Sequence, residues 1–310
     1  GAQAGSYLSP EYLAAAADGK SLYVTAATAG KLLVFDLAGS KVSAEWALKS
    51  APNGVAVAPD GTVYVAAGGV DGTLIKLSAA GKVLGKAEVG HTPMSPVVSK
   101  DGATVYVLCR FNNSVEAVDA ATLKKRASVS VLREPHAAVL GAGGKLLFVA
   151  NHLPACRATD DVVAASVSVI DTATFKAVKS VMLPNGSTGV RGICVSPDGK
   201  FVYVTHTFGR YQLPTTQLER GWMNTAGLSV FNGETGDYVN TALLDDVDLG
   251  AANPWGVAVS ADGKSLLVAH AGTREVSVID REAFHARLEK AAKNEKVTEV
   301  TKSSTDVPND

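Results

Sequence analysis

Four histidines stand at related places in a pattern that repeats along the chain. They are His136, His152, His206 and His270, out of six histidines in all. Neutral imidazole is a common ligand for zinc and copper, and three or four converging rings suffice to hold one ion. The alternative is that these rings hydrogen-bond to backbone or water at strand ends. His152, His206 and His270 are therefore candidate ligands for a transition metal.

Arginine and tryptophan side chains form a second group of candidate binding residues. The set comprises Arg110, Arg191, Arg210, Arg220, Trp222 and Trp255. A guanidinium fork recognises carboxylate or phosphate, and an aromatic ring stacks on a flat ligand. The alternative role for the same side chains is to anchor long loops. Both interpretations, anion or small-ligand binding and loop anchoring, are retained for this set.

The three cysteines are too few for a dense disulfide framework, and their number does not fix the compartment. Cys109 and Cys156 fall at the same end of neighbouring repeat units. They form either a disulfide, which would fit an oxidising compartment, or two free thiols. Cys194, in the segment GICVSPDG, is predicted to be an ordinary core residue.

Signatures of several enzyme classes are absent from the sequence. The segment GAGGK (141–145) lacks the frame of a phosphate-binding loop, and GSTGVRG (186–192) joins two predicted strands without a helix. No Gly-x-Ser-x-Gly nucleophile elbow occurs. The paired aspartates at 160–161 and 245–246 are predicted to lie in loops and to be solvated. We therefore assign no catalytic residue from the sequence.

Composition excludes some classes of partner. The formal net charge of −1 gives no electrostatic case for binding nucleic acid or an anionic membrane. Hydrophobic residues make up 46% of the chain, enough for a sizeable core. No apolar run approaches the roughly 18 residues that a membrane helix needs. No signal peptide is visible, and the opening GAQAGS is typical of a processed N-terminus or an engineered start.

The elements that position these residues are repeated. An Asp-Gly turn occurs at Asp18, Asp60, Asp101, Asp198 and Asp262, and Gly143-Gly144 is a degenerate copy. Each turn is followed by a small apolar strand such as TVYVAA or FVYVTH, then by a third strand such as SVSVID, and then by a fourth. Four strands in a unit of about 40–50 residues predict a β-propeller blade. A β-sandwich is the alternative, and the aligned turns argue against it.

The predicted fold is therefore an all-β propeller of four-stranded antiparallel blades, forming a single domain over residues 1–310. Six blades are counted, at about 10–50, 51–90, 91–132, 133–184, 186–245 and 252–301. Seven are expected if the chain is part of a longer one, and we favour a domain cut from a longer protein. Residues 282–292 have helical spacing and are predicted to form a helix on the edge of blade 6, with a docking helix as the alternative.

Strand order predicts which residues share one end of the channel. With the strands of a blade labelled A to D, the residues at the starts of strand A are Glu11, Asn53, Met94, His136, Arg191 and Trp255. The ends of strand B, which carry Arg110 and three of the histidines, reach the same end. Two long B-to-C loops, 152–164 and 207–226, also fall there. Function in a repeat fold lies on such variable positions of a constant scaffold, so this face is the expected site.

The blocks APDGTVYVAA, SPDGKFVYVTH and SVSVIDTAT resemble the YVTN repeat of surface-layer-type bacterial β-propellers over nearly the whole chain. The segment RYQLPTTQLERGWMNTAGLSVF (210–231) resembles periplasmic or cell-surface proteins that join a propeller to a c-type cytochrome domain similar to di-haem peroxidases. No Cys-x-x-Cys-His occurs here. The resemblance therefore implies haem c only in a domain outside this chain.

These observations predict an extracytoplasmic bacterial binding or interaction module, in the periplasm or at the cell surface. Its expected partner is a protein domain or a small ligand at the loop-rich face, with no nucleic acid and no membrane span. A c-type cytochrome domain is the partner that the resemblance implies. The alternative function is a metal-dependent or lactonase-like enzyme with its site at the channel mouth.

Overall fold

A computed structural model describes residues 7–209, 224–245 and 251–297 of the chain. The fold is all-β, and the described residues form six antiparallel sheets that correspond to the six predicted propeller blades. The structure divides into two compact units. Unit 1 is Gly1–Ala138 with Thr174–Ala177, and unit 2 is Val139–Ala173 with Val178–Asp310.

Unit 1 contains three complete blades, in each of which the four strands lie side by side in chain order. Blade 1 comprises β1 (Pro10–Ala15), β2 (Ser21–Ala26), β3 (Lys31–Asp36) and β4 (Lys41–Ala47). Blade 2 comprises β5 (Pro52–Val57), β6 (Val63–Ala67), β7 (Gly72–Leu77) and β8 (Val83–Val89). Blade 3 comprises β9 (Pro93–Val98), β10 (Thr104–Cys109), β11 (Ser114–Asp119) and β12 (Lys125–Ser130).

Blade 4 comprises β13 (Pro135–Leu140), β14 (Leu146–Asn151), β15 (Ser166–Asp171) and β16 (Lys176–Met182), and its outer strands contribute residues to both units. Blade 5, in unit 2, comprises β17 (Ser187–Val195), β18 (Phe201–Gly209), β19 (Asn224–Asn232) and β20 (Tyr238–Leu243). Blade 6, also in unit 2, comprises β21 (Pro254–Val259), β22 (Ser265–His270) and β23 (Glu275–Asp280), followed by helix α1 (Arg281–Ala292). The predicted fourth strand of blade 6 lies almost entirely outside the described residues.

The Asp-Gly turns form as the sequence predicts, for two physical reasons. The glycine takes a left-handed conformation that a residue without a Cβ adopts at no steric cost, as at Gly61 (φ 83°). The aspartate accepts the backbone N–H two residues later, for example Asp60 Oδ1 from Thr62 at 2.9 Å. Because that bond favours the charged carboxylate, it lowers the pKa of Asp60.

Aliphatic side chains of adjacent blades pack together within each unit. In unit 1, Leu32 of blade 1 packs with Val63 and Val65 of blade 2 in one buried cluster. In unit 2, Leu228 and Val230 of blade 5 pack with blade 6, and Leu288 of helix α1 joins the same cluster. Helix α1 is thus packed on blade 6 as predicted, and Asp280 caps its start by accepting from the Ala283 N–H at 2.9 Å. Across the described residues, no helix combines the length and hydrophobicity needed to cross a bilayer.

Candidate functional site

Several of the residues predicted at the starts of strand A lie where the pairing of strands A and B is interrupted. In blades 1, 2 and 6 the register shifts between Pro10 and Leu13, between Pro52 and Gly54, and between Pro254 and Val257. These bulges contain Glu11, Asn53 and Trp255. A β-bulge re-aims side chains out of the alternating pattern. The sequence pattern identified the positions but gave no signal of the bulges.

In unit 1, the bulge of blade 1 brings a tyrosine to the predicted histidine. The Tyr12 hydroxyl lies 3.2 Å from His136 Nδ1, across a sequence separation of 124 residues. The His136 ring is buried, and Tyr12 itself is held by its N–H bond to Thr25 Oγ1 at 2.9 Å. Sequence reasoning found His136 and missed Tyr12, because nothing local marks a contact between residues so far apart.

The other predicted residues of unit 1 divide between exposed and structural positions. Glu11 is exposed at the bulge, and partial desolvation raises the pKa of its carboxyl. The Asn53 side chain donates to the Gly68 carbonyl at 2.7 Å, and Met94 is buried. Arg110 pairs with Glu134 through two bonds to one carboxylate oxygen, at 2.8 and 3.2 Å. For Arg110 this is the loop-anchoring role.

In unit 2, two predicted residues from different blades stack on each other. The Arg191 guanidinium lies 4.2 Å from the centre of the Trp255 ring, a cation–π distance. Arg191 Nη1 also donates to Asn253 Oδ1 at 2.8 Å. The backbone of both strands is held by Thr205, whose hydroxyl accepts from the Gly192 N–H and donates to the Trp255 carbonyl. The result is a guanidinium of fixed orientation at two adjacent strand starts.

The three candidate metal ligands are in unit 2, and each has a partner other than a metal. His152 Nδ1 lies 3.1 Å from the Val190 carbonyl. His206 Nε2 and His270 Nε2 each lie 2.8 Å from a serine hydroxyl on the next strand, Ser229 and Ser277 respectively. Within the described ranges, no three His, Cys, Asp or Glu side chains come together in a way that could hold an ion. The expected convergence of these histidines on one ion is therefore not seen there.

His206 and His270 share the same kind of environment. Both rings are buried and bond within their own blade. Blade 4 repeats the arrangement, with Asn151 donating to Ser168 Oγ at 3.0 Å. Burial lowers the pKa of His206 to about 4, because the charged ring would lose its hydration. The strand-B end is thus a polar core position in blades 4 to 6.

The cysteines are free thiols, one of the two alternatives retained for Cys109 and Cys156. Burial raises the pKa of Cys109 and of Cys194 to about 12, so neither is a ready nucleophile. Cys194 contacts the core cluster of unit 2, as predicted. Of the long loops, 207–226 is partly replaced by longer strands, since β18 runs to Gly209 and β19 begins at Asn224. Arg210, Arg220 and Trp222 lie outside the described residues.

Comparisons with known proteins agree with the propeller fold. A family model described as "Lactonase, 7-bladed beta-propeller" matches residues 90–303. Hydrazine synthase subunit beta of Kuenenia stuttgartiensis is 30% identical over 115 residues, which is 37% of this chain and 30% of that protein. The match thus spans less than a third of the length of that curated relative.

Two solved structures share the fold. Hydrazine synthase of Kuenenia stuttgartiensis superposes with a TM-score of 0.82 at 24% identity, over 92% of this chain and 80% of the other. A functionally unknown protein from Desulfotomaculum acetoxidans DSM 771 superposes with a TM-score of 0.65 at 19% identity, over 89% of this chain and 84% of the other. Because both identities are below 25%, these likenesses speak for the fold alone.

Proposed function

The chain belongs to the seven-bladed β-propeller lactonase family, and from that premise we propose that it is an extracytoplasmic binding propeller that recognises carboxylate groups at Arg191 and Trp255. The carboxylate is carried either by a small hydroxy acid or by a partner protein domain. The hydrolysis of a lactone yields a hydroxy carboxylate, so this ligand class is consistent with the family. The proposed location is the periplasm or surface of a bacterial cell.

The observation that carries this proposal is the stack of Arg191 on Trp255. A guanidinium that lies over an indole ring and is bonded to Asn253 has lost most of its rotational freedom before a ligand arrives. Carboxylates are bound well by such a pre-oriented fork, and an indole beside it supplies apolar contact for the ligand's carbon atoms. Both side chains are half-buried, which strengthens their charge interactions relative to a fully solvated arginine.

The test is a titration of the purified chain with D-gluconate, followed by tryptophan fluorescence and calorimetry. Arg191→Met should abolish binding, and Arg191→Lys should weaken it by about tenfold or more, because lysine keeps the charge and loses the planar fork. Arg126→Met is the matched control, since Arg126 is an exposed arginine that pairs with Asp119. Binding that survives Arg191→Met unchanged would overturn the proposal for this site.

A partner protein is the second form that the ligand can take. The matched relative is named as a subunit, which describes a protein that works within an assembly. The sequence resemblance to propellers joined to c-type cytochromes adds a haem domain as the partner to test. A pull-down with a purified c-type cytochrome domain, repeated with Arg191→Met, separates this form from small-molecule binding.

Lactone hydrolysis is a second candidate function, favoured by the family match together with the Tyr12–His136 pair of unit 1. In this scheme the Glu11 carboxylate removes a proton from water as the water oxygen bonds to the lactone carbonyl carbon. The ring C–O bond then breaks, and the released alkoxide takes a proton from the Tyr12–His136 pair. Glu11, whose carboxyl pKa is raised by partial desolvation, is the general base in this scheme.

Hydrolysis is tested by titrating the acid released from D-glucono-δ-lactone at constant pH. Glu11→Gln and Tyr12→Phe should each lower kcat/KM by about 100-fold, the usual contribution of a general acid or base. Glu45→Gln is the control, because Glu45 is an exposed carboxylate paired with Lys31. Hydrolysis no faster than in buffer alone would eliminate this candidate and leave the binding proposal standing.

A further inference from the structure

Arg191 lies in a bulge of β17, where the pairing of this strand with β18 is interrupted. The register is regular up to Thr188 and resumes at Gly192, so three residues of β17, Gly189, Val190 and Arg191, stand against a single residue of β18. Gly189 has a φ of 62°, which lets the backbone leave the line of the strand. The backbone that carries Arg191 is therefore supported by something other than the strand ladder.

The support comes from His152, the first residue of the 152–164 loop of blade 4. The Val190 N–H donates to the His152 carbonyl at 3.2 Å, and His152 Nδ1 lies 3.1 Å from the Val190 carbonyl. Because a carbonyl oxygen only accepts hydrogen bonds, Nδ1 carries the proton and donates it. Val190 is fully inaccessible and His152 is 9% exposed, so His152 satisfies both backbone groups of Val190 in a place that water does not reach.

The bulge is also closed at its two ends, by threonine hydroxyls of β18. One hydroxyl donates to the Thr188 carbonyl at 3.1 Å, and another accepts from the Gly192 N–H at 3.0 Å. The middle of the bulge rests on His152, one residue before the guanidinium that lies 4.2 Å from the centre of the Trp255 ring. The direction in which Arg191 leaves the backbone is thus set from blade 4, while its far end is held by blade 6.

The other end of the 152–164 loop is bonded to the start of the same strand. The Val163 N–H donates to Asn185 Oδ1, and the Gly186 N–H donates to the Val163 carbonyl, each at 2.9 Å. The loop is therefore attached at both ends to the segment 185–190. This fixes His152 relative to the strand that it supports, which is what a residue that orients a binding side chain requires.

We propose that His152 is a positioning residue for Arg191, and that its Nδ1–H and its carbonyl hold Val190 so that the guanidinium is oriented before a carboxylate binds. This inference rests on the proposed carboxylate site at Arg191 and Trp255. A guanidinium binds a carboxylate best through two parallel hydrogen bonds, which depend on its orientation more than on its charge. Without the support of His152, part of the binding free energy would be spent on ordering Arg191.

The test compares two substitutions of nearly equal size. Asparagine places an amide N–H where His152 has Nδ1, whereas leucine has the same branched shape without the donor. In nitrogen–proton NMR spectra of the full chain without ligand, the Arg191 Nε–H signal, assigned by its loss in Arg191→Met, reports the ring current of Trp255. We expect this signal to keep its position in His152→Asn and to move to that of an unstacked arginine in His152→Leu.

The affinity for D-gluconate gives the functional readout. His152→Leu should weaken binding by about tenfold, because Arg191 must then be ordered on binding, and His152→Asn should stay within about threefold of wild type. His91→Leu is the control and should change neither the Arg191 signal nor the affinity, since His91 is a half-buried histidine of unit 1.

An Arg191 signal that does not move in His152→Leu, or that moves equally in both variants, would overturn the inference. A wild-type chain that does not bind D-gluconate would refute the proposed function instead, and the ligand-free spectra would still decide the role of His152. If His152→Leu does not fold, the wild-type chain decides. Its His152 ring nitrogens should show the proton on Nδ1, and a ring protonated on Nε2 alone would overturn the inference.

Discussion

His206 is the residue whose titration most directly tests the described core of blade 5. Its ring is fully inaccessible, bonds to Ser229 through Nε2, and has its pKa lowered to about 4 by burial. In the unfolded chain the same ring titrates near its ordinary value of about 6.5. The unfolded state therefore binds the proton more readily than the folded state. The stability that the folded protein gains from a neutral His206 is complete above pH 6.5 and is lost as the pH falls towards 4.

The size of the effect follows from the two pKa values. Proton linkage at His206 lowers the free energy of unfolding by about 2 kcal/mol at pH 5 and by about 3 kcal/mol at pH 4, relative to its value at pH 7.5. Replacing His206 with glutamine removes the titration and keeps a side chain that can bond to Ser229. The variant should therefore be less stable than wild type at pH 7.5. At pH 5, its unfolding free energy relative to wild type should be about 2 kcal/mol more favourable than at pH 7.5.

The assay is urea unfolding of wild type and His206→Gln between pH 4 and 7.5, followed by fluorescence and circular dichroism to check that the transitions coincide. His91→Gln serves as the control, since His91 lies half-buried in a loop of unit 1. A difference between wild type and His206→Gln that does not change with pH would refute the reasoning. Stability that falls on adding a chelator would instead favour a metal-ligand role for the histidines.

Three further outcomes are expected. Gly192→Ala should lower the unfolding free energy by about 3 kcal/mol or more and abolish ligand binding, because an added Cβ would overlap the Trp255 carbonyl oxygen. A loss of less than about 1 kcal/mol, measured by calorimetry, would contradict this expectation. Tyr203→Phe should cost about 1–2 kcal/mol, since it removes the 2.7 Å bond to His285 Nε2, and prior mutation of His285 should reduce that cost in a double-mutant cycle. Cys109 should resist a thiol reagent at pH 8 until denaturant is added, because its side chain is buried and its pKa is raised to about 12. Rapid labelling of Cys109 in the native chain would contradict this expectation.

The local sequence of each repeat was enough to predict the blades. The Asp-Gly turns need a left-handed glycine and an acceptor two residues before the bonded N–H, and both requirements are visible in the residue types. Helix α1 was likewise predictable, because its apolar spacing and its capping Asp280 are neighbours in the chain. The structure extended β18 and β19 into the predicted loop, since strand pairing continued beyond the repeated pattern.

The candidate site was predictable in its positions and not in its contacts. Counting back from each turn identifies Arg191 and Trp255. Their stacking depends on the register shifts that contain them, between Thr188 and Gly192 and between Pro254 and Val257, and on Thr205 between the two strands. Strand order likewise predicts that His206 and His270 lie at the ends of strand B. Their bonds to Ser229 and Ser277 were not predictable, because each bond joins side chains of two different strands.

The sequence by itself determined the repeat, the strand order and the residues that vary at each strand start, because these depend on interactions within one repeat of about 40 residues. Tertiary structure alone decided that Tyr12 meets His136, that Arg191 meets Trp255, and that Val276 and Val278 are exposed while Leu228 and Val230 at the same positions of blade 5 are buried. The physical reason is that the burial and pairing of a side chain depend on the neighbouring blade, and the repeat gives each blade the same pattern whether or not a neighbour covers it.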